Sequence, residues 1–359
     1  MNTTWLDIKR LGEGGQGTVT LVRPEGRKDP LDHIIESIRL LQGTSNRQIK
    51  AAARDRLGEN LIAFVNGEYV LGAKKQLLTP TEESVARLMR EAEVYESISD
   101  PHLLKVLDQD INGKWLVTEY QPNGTLEAQL EAYRGDAIGT LRAIRPLVNV
   151  LAKMHAAKFV HRDFKPGNIF IGRKGQLVLG DAGLAFYIDD SARPTKTYES
   201  VGTQHYMPAW AYGRRLKEIN PTFDAFSVGK VIWALIAGEP ACPLWYVFRP
   251  DNKLTSRFPG RIDMFWINEL LTKCVVEDES SMKIQDGAEF MKQIDQTLRA
   301  ITLNAIPPDI VHQIGNCRVC FIGTYKEDNA GYRGTIARPG TCYRCDSCGH
   351  LEFYGGRQT

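Results

Sequence analysis

Apolar positions change period several times along the chain, and the changes divide it. Ile8 to Leu11 and Thr18 to Arg23 read as two strands on either side of a run of glycines. From Pro24 to Gly58 the period becomes helical: Leu31, Ile34, Ile35, Ile38 and Leu41 share a face, and Asn46 can cap a second helix over 46–57. Leu61 to Val65 and Glu68 to Lys75 read as strands around Asn66-Gly67, a dipeptide suited to a tight hairpin turn. Thr81 to Ser99 predicts an amphipathic helix with acids near its start, and strands follow near 103–108 and 115–119 around Asn112-Gly113. From Leu126 onward helices dominate, over 138–157, 224–237, 264–274 and 286–298. Strands first and helices afterwards predict an α+β chain in two lobes. Pro307-Pro308 marks a boundary, beyond which the chain is rich in Gly, Arg and Cys.

Composition narrows the choice of partners. The 359 residues leave room for a two-lobed domain and a small appendage. A net charge of +2 gives no basis for a nucleic-acid or membrane-surface partner. The most apolar stretch, Val228 to Phe248, carries Lys230 and Glu239 and is broken by Pro240 and Pro243, so it predicts a buried helix and no membrane span. The first residues have no charged start followed by an apolar run, and no secretory signal is legible. Five of the seven cysteines fall after residue 316 in close pairs. Together these features favour metal ligation over disulfides and a cytoplasmic chain.

Three segments carry chemistry. Gly12-Glu13-Gly14-Gly15-Gln16-Gly17-Thr18-Val19 places glycines where backbone amides can approach phosphate oxygens, and it continues as a strand, unlike a dinucleotide-binding turn. His161-Arg162-Asp163-Phe164-Lys165-Pro166-Gly167-Asn168 sets an acid, a lysine and an amide within six positions. Leu179-Gly180-Asp181-Ala182-Gly183 adds a second acid downstream. One carboxylate to receive a hydroxyl proton, a carboxylate and an amide oxygen to hold magnesium, and a lysine to offset phosphoryl charge form a phosphoryl-transfer set.

In this order the segments resemble the eukaryotic-type protein kinase family over roughly residues 1–300. The resemblance implies a β-rich N-lobe (1–118) with a helical insert (24–57), a helical C-lobe (119–300), and ATP with magnesium between them. It implies Asp163 as catalytic base, Asn168 and Asp181 as magnesium ligands, and Lys165 near the γ-phosphate. Gly12, Gly14, Gly17 and Val19 would cover the nucleotide, and Thr118, Glu119 and Tyr120 would form the adenine-binding hinge. The lysine after the catalytic aspartate and Thr203 match the serine/threonine pattern, with protein hydroxyls as substrate. Leu71-Gly72-Ala73-Lys74-Lys75 resembles the family's lysine strand. Alternation favours Lys74 toward ATP, with Gly72 beneath the adenine and Leu71 and Ala73 in the core, since the other choice would aim Lys74 into the core. Its expected partner is Glu91. Asp224 matches an aspartate that braces the catalytic loop.

The chain departs from the family in three places. Ala182 replaces the phenylalanine of Asp-Phe-Gly. Trp210 and Met282 stand where the family has a buried glutamate–arginine pair, and an apolar contact between them is the expected replacement. The insert is long, and it or the C-terminal module could dock a partner. Arg162 with Thr195, Thr197, Tyr198 and Ser200 suggests autophosphorylation. The competing readings are a catalytically impaired scaffold and a small-molecule kinase.

After a linker at 301–314, residues 315–359 hold Cys317-Arg318-Val319-Cys320 and Cys345-Asp346-Ser347-Cys348, a zinc-ribbon-like pattern of two knuckles. Cys317, Cys320, Cys345 and Cys348 are the expected zinc ligands. Cys342 is the alternative fourth ligand, and His312 and His350 are weaker ones. Cys242 and Cys274 read as ordinary buried cysteines.

Overall fold

In a computed structural model, described over residues 3–14, 17–25, 30–65, 71–110, 112, 114–184, 186–187, 205–211, 220–304, 325–327, 340–345 and 351–355, the chain opens with an antiparallel hairpin. Strands β1 (Trp5–Gly14) and β2 (Gly17–Pro24) form it, and Gly17 is needed because a Cβ there would lie 2.1 Å from the Gln76 carbonyl. An insert follows as two helices, α1 (Pro30–Gly43) and α2 (Arg47–Val65). Asn46 caps α2 as expected, accepting the Gln48 N–H at 2.9 Å and the Ile49 N–H at 3.3 Å.

The strand expected at Leu61 to Val65 is not formed, because α2 runs on to Val65. Leu57, Leu61, Phe64 and Val65 also fit helical spacing, and a helix already under way extends more readily than a new strand starts. The insert therefore reaches about two turns beyond its expected end, and Asn66-Gly67 lies outside the described residues.

Strands β3 (Gly72–Leu77), β4 (Val106–Asp110) and β5 (Trp115–Glu119) complete a five-stranded antiparallel sheet in the order β1-β2-β3-β5-β4. Helix α3 (Glu82–Ser97) lies between β3 and β4 in sequence and begins in a capping box: Ser84 N–H donates to Thr81 Oγ1, and Thr81 N–H donates to Ser84 Oγ. Glu82 and Glu83 in its first turn suit the positive end of the helix dipole.

The remainder is mostly helical: α4 (Ala137–Ala156), the short strands β6 (Phe159–Val160), β7 (Ile169–Ile171), β8 (Leu177–Leu179) and β9 (Phe186–Tyr187), then α5 (Thr222–Ala237), α6 (Leu254–Arg257), α7 (Ile262–Leu271) and α8 (Gly287–Asn304). Every residue of α5 is buried, which explains its near-continuous apolar sequence without a membrane. No helix of the described residues is long and apolar enough to cross one. Its single lysine, Lys230, donates to the carbonyls of Cys242 and Leu244, the latter at 2.6 Å, and burial pushes its pKa down to about 8. This lysine fastens the loop after α5, where Leu244 takes a left-handed φ of 52°.

Trp210 and Met282 do not replace the ion pair by meeting each other. Trp210 packs edge-on against Phe223, ring centroids 6.5 Å apart, in a small cluster with Val160, Met207 and Ala211. Met282 sits in the main core. The start of α5 is tied to the loop of Met282 by Thr222, whose Oγ1 donates to Glu279 at 2.7 Å. Two separate apolar fillings and one hydrogen bond stand where a single Trp210–Met282 contact was expected. Cys274 is fully buried, as expected, but Cys242 is only half-buried.

A separate three-stranded antiparallel sheet, β10 (Tyr325–Glu327), β11 (Gly340–Cys345) and β12 (Leu351–Gly355), lies in the C-terminal segment. Cys317, Cys320 and Cys348, with His312 and His350, lie outside the described residues. Among the described residues no group of three or more His, Cys, Asp and Glu side chains could hold a metal ion.

Candidate active site

The loop from His161 to Asn168 leaves β6, passes through a short 3-10 turn (Pro166–Asn168) and enters β7. Its backbone is held from below by Asp224, which is fully buried on α5. Asp224 Oδ2 accepts the His161 N–H and Oδ1 accepts the Arg162 N–H, both at 2.8 Å. His155 adds a third bond, from Nε2 to Oδ2 at 2.8 Å. The Gly287 N–H donates to His155 Nδ1 at 2.9 Å, so the proton of a neutral His155 sits on Nε2. That contact needs glycine: a Cβ at 287 would lie 2.5 Å from the Ala152 nitrogen. Burial alone would raise the Asp224 pKa, but His155 and the loop amides hold it below its ordinary value.

These contacts let Arg162 adopt a φ of 64°, which turns the next residue into the site. Asp224→Asn is expected to destabilise the fold by about 3–5 kcal/mol, because it sets an N–H against the buried donors. A folded pKa held low means this stability is present above the ordinary carboxylate value and lost as pH falls through the folded one. The gap between wild type and variant in denaturant titrations is therefore expected to be widest near neutrality and to close in acid.

Asp163 is 4% exposed. Its Oδ2 accepts Lys165 Nζ at 2.9 Å and Asn168 Nδ2 at 2.7 Å, and Asn168 Nδ2 also reaches the Asp163 carbonyl at 2.9 Å. Asp163 Oδ1 is buried and has no hydrogen-bond partner among the described residues. The expected cluster of Asp163, Lys165 and Asn168 is thus formed, with one carboxylate oxygen fixed and the other left over. Gly180 before the second acid is a close approach, since a Cβ there would strike Leu104 and Phe170. Asp181 then takes a φ of 53°, and its side chain is 46% exposed.

The lysine of this site is Lys75, a correction to the expected Lys74. Lys75 Nζ lies 2.7 Å from Glu91 Oε2 on α3 and 3.6 Å from Asp181 Oδ1. Lys74 points to the other face of the sheet, its Nζ over the Trp115 ring at 5.2 Å from the centroid. The strand register decides between the two lysines. Ala73 and Lys75 share a face with Thr118 and Leu116 of β5, whereas Gly72 and Lys74 share the opposite one. That opposite face is no closed core around Lys74, which is only half-buried and keeps its charge above an aromatic ring. Gly72 also lies there and not beneath an adenine, because a Cβ on it would collide with Val117 and crowd Val22 and Trp5.

Burial alone would lower the Lys75 pKa, but the Glu91 and Asp181 carboxylates hold it above the ordinary value. Burial pushes the Glu91 carboxyl up, and Lys75 draws it back. Two carboxylates, Glu91 and Asp181, face the one ammonium of Lys75, and the Asp181 side chain is the more exposed of the two. Hard oxygen donors with uncompensated charge suit magnesium.

Thr118 is buried on β5, facing the same way as Ala73 and Lys75. The Glu119 N–H donates to Lys105 O and the Tyr120 N–H to Leu71 O, both at 2.9 Å, so neither is available to a ligand. The next amide, Gln121 N–H, makes no hydrogen bond among the described residues. Gly12, Gly14, Gly17 and Val19 lie on the β1–β2 hairpin, whose tip at 15–16 is outside the described residues, as are Thr195, Thr197, Tyr198, Ser200 and Thr203. Val19 is the β2 partner of Lys75, which puts both on the same face.

Lys75 and Tyr95, both bonded to Glu91, and the unengaged Gln121 amide are features that the sequence alone does not select. The Ala73-x-Lys75 spacing within the strand that resembles the family's lysine strand is the available signal for the first; nothing local marks the other two.

Comparison with known proteins agrees with this geometry. Residues 65–245, just over half of the chain, match the family described as protein kinase domain. The β1–β2 hairpin precedes that range and is joined to it by the β2–β3 pairing. The chain is 29% identical over 157 residues to Aurora kinase A-A of Xenopus laevis, covering 43% of this chain and 37% of that protein. It is 32% identical over 182 residues to the probable serine/threonine-protein kinase pknA2 of Bifidobacterium longum, covering 49% of this chain and 23% of that protein. It is 26% identical over 218 residues to Aurora kinase C of Mus musculus, covering 58% and 77% respectively. The chain spans well under half the length of the first two relatives.

Proposed function

We propose a function from one premise: this chain belongs to the protein kinase domain family. Its reaction, in this reading, is transfer of the γ-phosphate of ATP to serine and threonine hydroxyls of proteins. The observation that carries the reading is the divided carboxylate of Asp163. Lys165 and Asn168 fix Oδ2, which orients the group, while Oδ1 has no partner among the described residues and can accept the proton of an incoming hydroxyl. Lys165 Nζ, 2.9 Å from that carboxylate, also offsets charge on the group in transfer. Lys75, oriented by Glu91, would bind the nucleotide phosphates, and the Gln121 N–H would meet the adenine edge. Asn168 and Asp181 would hold magnesium, which neutralises phosphate charge when bound. Lysine at 165 and the names of the relatives support serine and threonine as acceptors over tyrosine.

The test is phosphoamino-acid analysis after incubation with MgATP and a generic basic protein. Phosphoserine and phosphothreonine are expected, and phosphotyrosine alone would contradict the assignment. Phosphosites within 188–204 of the protein itself would extend the reading to autophosphorylation.

A zinc site at Cys317, Cys320, Cys345 and Cys348 belongs to the same proposal. Strand β11 runs unbroken through both Cys342 and Cys345, which leaves no turn for a knuckle between them. Cys345 instead ends β11, at the start of the connection to β12, and the chain entering β10 is paired with Cys345 through Tyr325. The position of Cys345 at the end of β11, where the sequence Asp346-Ser347-Cys348-Gly349 follows, supports Cys348 over Cys342. One tightly bound zinc ion per chain is expected by elemental analysis, reduced by Cys317→Ser and unchanged by Cys342→Ser.

A further inference from the structure

Residue 182 is alanine where the family carries a ring, and it is fully buried. Close-packed interiors do not leave the volume of a ring empty. Its neighbour is Tyr95, four residues after Glu91 on α3, so that both project from one face of the helix. The Tyr95 hydroxyl accepts the Ala182 N–H at 3.3 Å and lies 3.3 Å from Glu91 Oε1, to which it donates. The other Glu91 oxygen takes Lys75, and Lys75 approaches Asp181. A closed circuit results: the Asp181–Gly183 turn to Tyr95, Tyr95 to Glu91, Glu91 to Lys75, and Lys75 back to Asp181. Gly183 completes the fit, since a Cβ there would lie 3.3 Å from both Glu91 and Asp181. Tyr95 is 6% exposed, and burial followed by the charges of Glu91 and Asp181 pushes its pKa well up, which keeps it a donor.

We propose that Tyr95 is a positioning residue that takes over, from the helix side, the role of the aromatic missing at 182, and locks α3 to the Asp181 turn in the ion-paired arrangement. A ring carried on the loop could swing out without disturbing the helix. A ring on the helix, bonded at its tip to the loop backbone, makes the two move together or not at all. Shifting α3 outward, or rotating the 181–183 backbone, would leave the phenol and the Ala182 amide buried without partners. The inference rests on the kinase reading for its catalytic consequence, but the tie itself can be measured without activity.

The experiment uses the full chain and three variants. Tyr95→Phe removes only the hydroxyl, Tyr95→Leu removes the ring, and Tyr95→Leu with Ala182→Phe returns a ring to the loop. Hydrogen exchange at the Ala182 amide and the kinetics of phosphate transfer are read together. Tyr95→Phe is expected to speed Ala182 exchange about tenfold and to lower kcat about tenfold, with the protein-substrate KM nearly unchanged. Tyr95→Leu is expected to be less active still, and adding Ala182→Phe is expected to restore at least part of that loss, a coupling that independent sites do not show. Wild-type exchange at Ala182 in Tyr95→Phe would overturn the proposal, as would a double variant no more active than Tyr95→Leu. If the wild type transfers no phosphate, the kinase reading fails, and Ala182 exchange in Tyr95→Phe still decides whether the tie exists. Should Tyr95→Leu fail to fold, Tyr95→Phe decides alone: faster Ala182 exchange supports the tie, and unchanged exchange overturns it.

Discussion

Lys75→Met is expected to lower phosphate transfer by about 10²–10³-fold, whereas Lys74→Met is expected to leave it within about twofold. The two lysines are adjacent in sequence and differ only in the face of β3 they occupy. Lys75 is the one cation within reach of both Glu91 and Asp181 among the described residues. Its removal does two things. It takes away the charge that would meet the nucleotide phosphates, and it leaves Glu91 buried without its counter-ion. Stranding a buried charge costs about 3–5 kcal/mol, so Lys75→Met is also expected to lower the unfolding free energy. Burial already raises the Glu91 pKa, and removing Lys75 takes away the largest influence that lowers it. Lys74, over the Trp115 ring, is worth about 0.5–1 kcal/mol as a cation–π contact and reaches no acid of the site. Matched kinetics and denaturant titrations of the two variants separate the cases. Equal losses for both would mean that the β3 register is wrong.

Asp163→Asn is expected to cost about 10²–10⁴-fold in kcat while leaving MgATP affinity close to that of the wild type. Asparagine preserves the size of the side chain but cannot take up a proton. It also confronts Lys165 and Asn168, both of which now donate to Asp163 Oδ2, with a neutral group. The loop itself keeps its anchor, because Asp224 holds His161 and Arg162 through their backbone amides and does not depend on Asp163. A loss confined to kcat, with unchanged nucleotide binding, is the signature of a group that acts on the reacting atoms. A loss of nucleotide affinity of the same size would instead assign Asp163 a binding role.

The parts of this site that can be read from the sequence are those whose geometry is local. Asp163, Lys165 and Asn168 fall within six positions, and one loop brings them together. Asp224 is legible only through the resemblance, which puts a bracing aspartate there, and the structure gives it three donors. Lys75 is not, because the choice between neighbours on a strand turns on which face is closed. That face is set by Trp5, Val22 and Val117, far away in the sequence, and a slip of one residue reverses every side chain. The β-like look of Leu61 to Val65 gives way to a helix already in progress. Tyr95 is hidden for a related reason: its contact with Ala182 spans 87 residues, and nothing in the helix distinguishes it from a core aromatic. That Tyr120 spends its N–H on Leu71 is likewise set by a distant partner and is not visible in the sequence around it.

One reaction stands at the centre of these proposals: phosphate moves from ATP to a protein hydroxyl with Asp163 as base. Its most direct measurement is incorporation of label from γ-labelled ATP into a protein substrate, by the folded wild type and by Asp163→Asn at equal nucleotide occupancy, with and without magnesium. Label incorporated by the wild type only when magnesium is present, and nearly absent with Asp163→Asn, is the result expected. No incorporation by a wild type that binds MgATP, or equal incorporation by the two proteins, would contradict it.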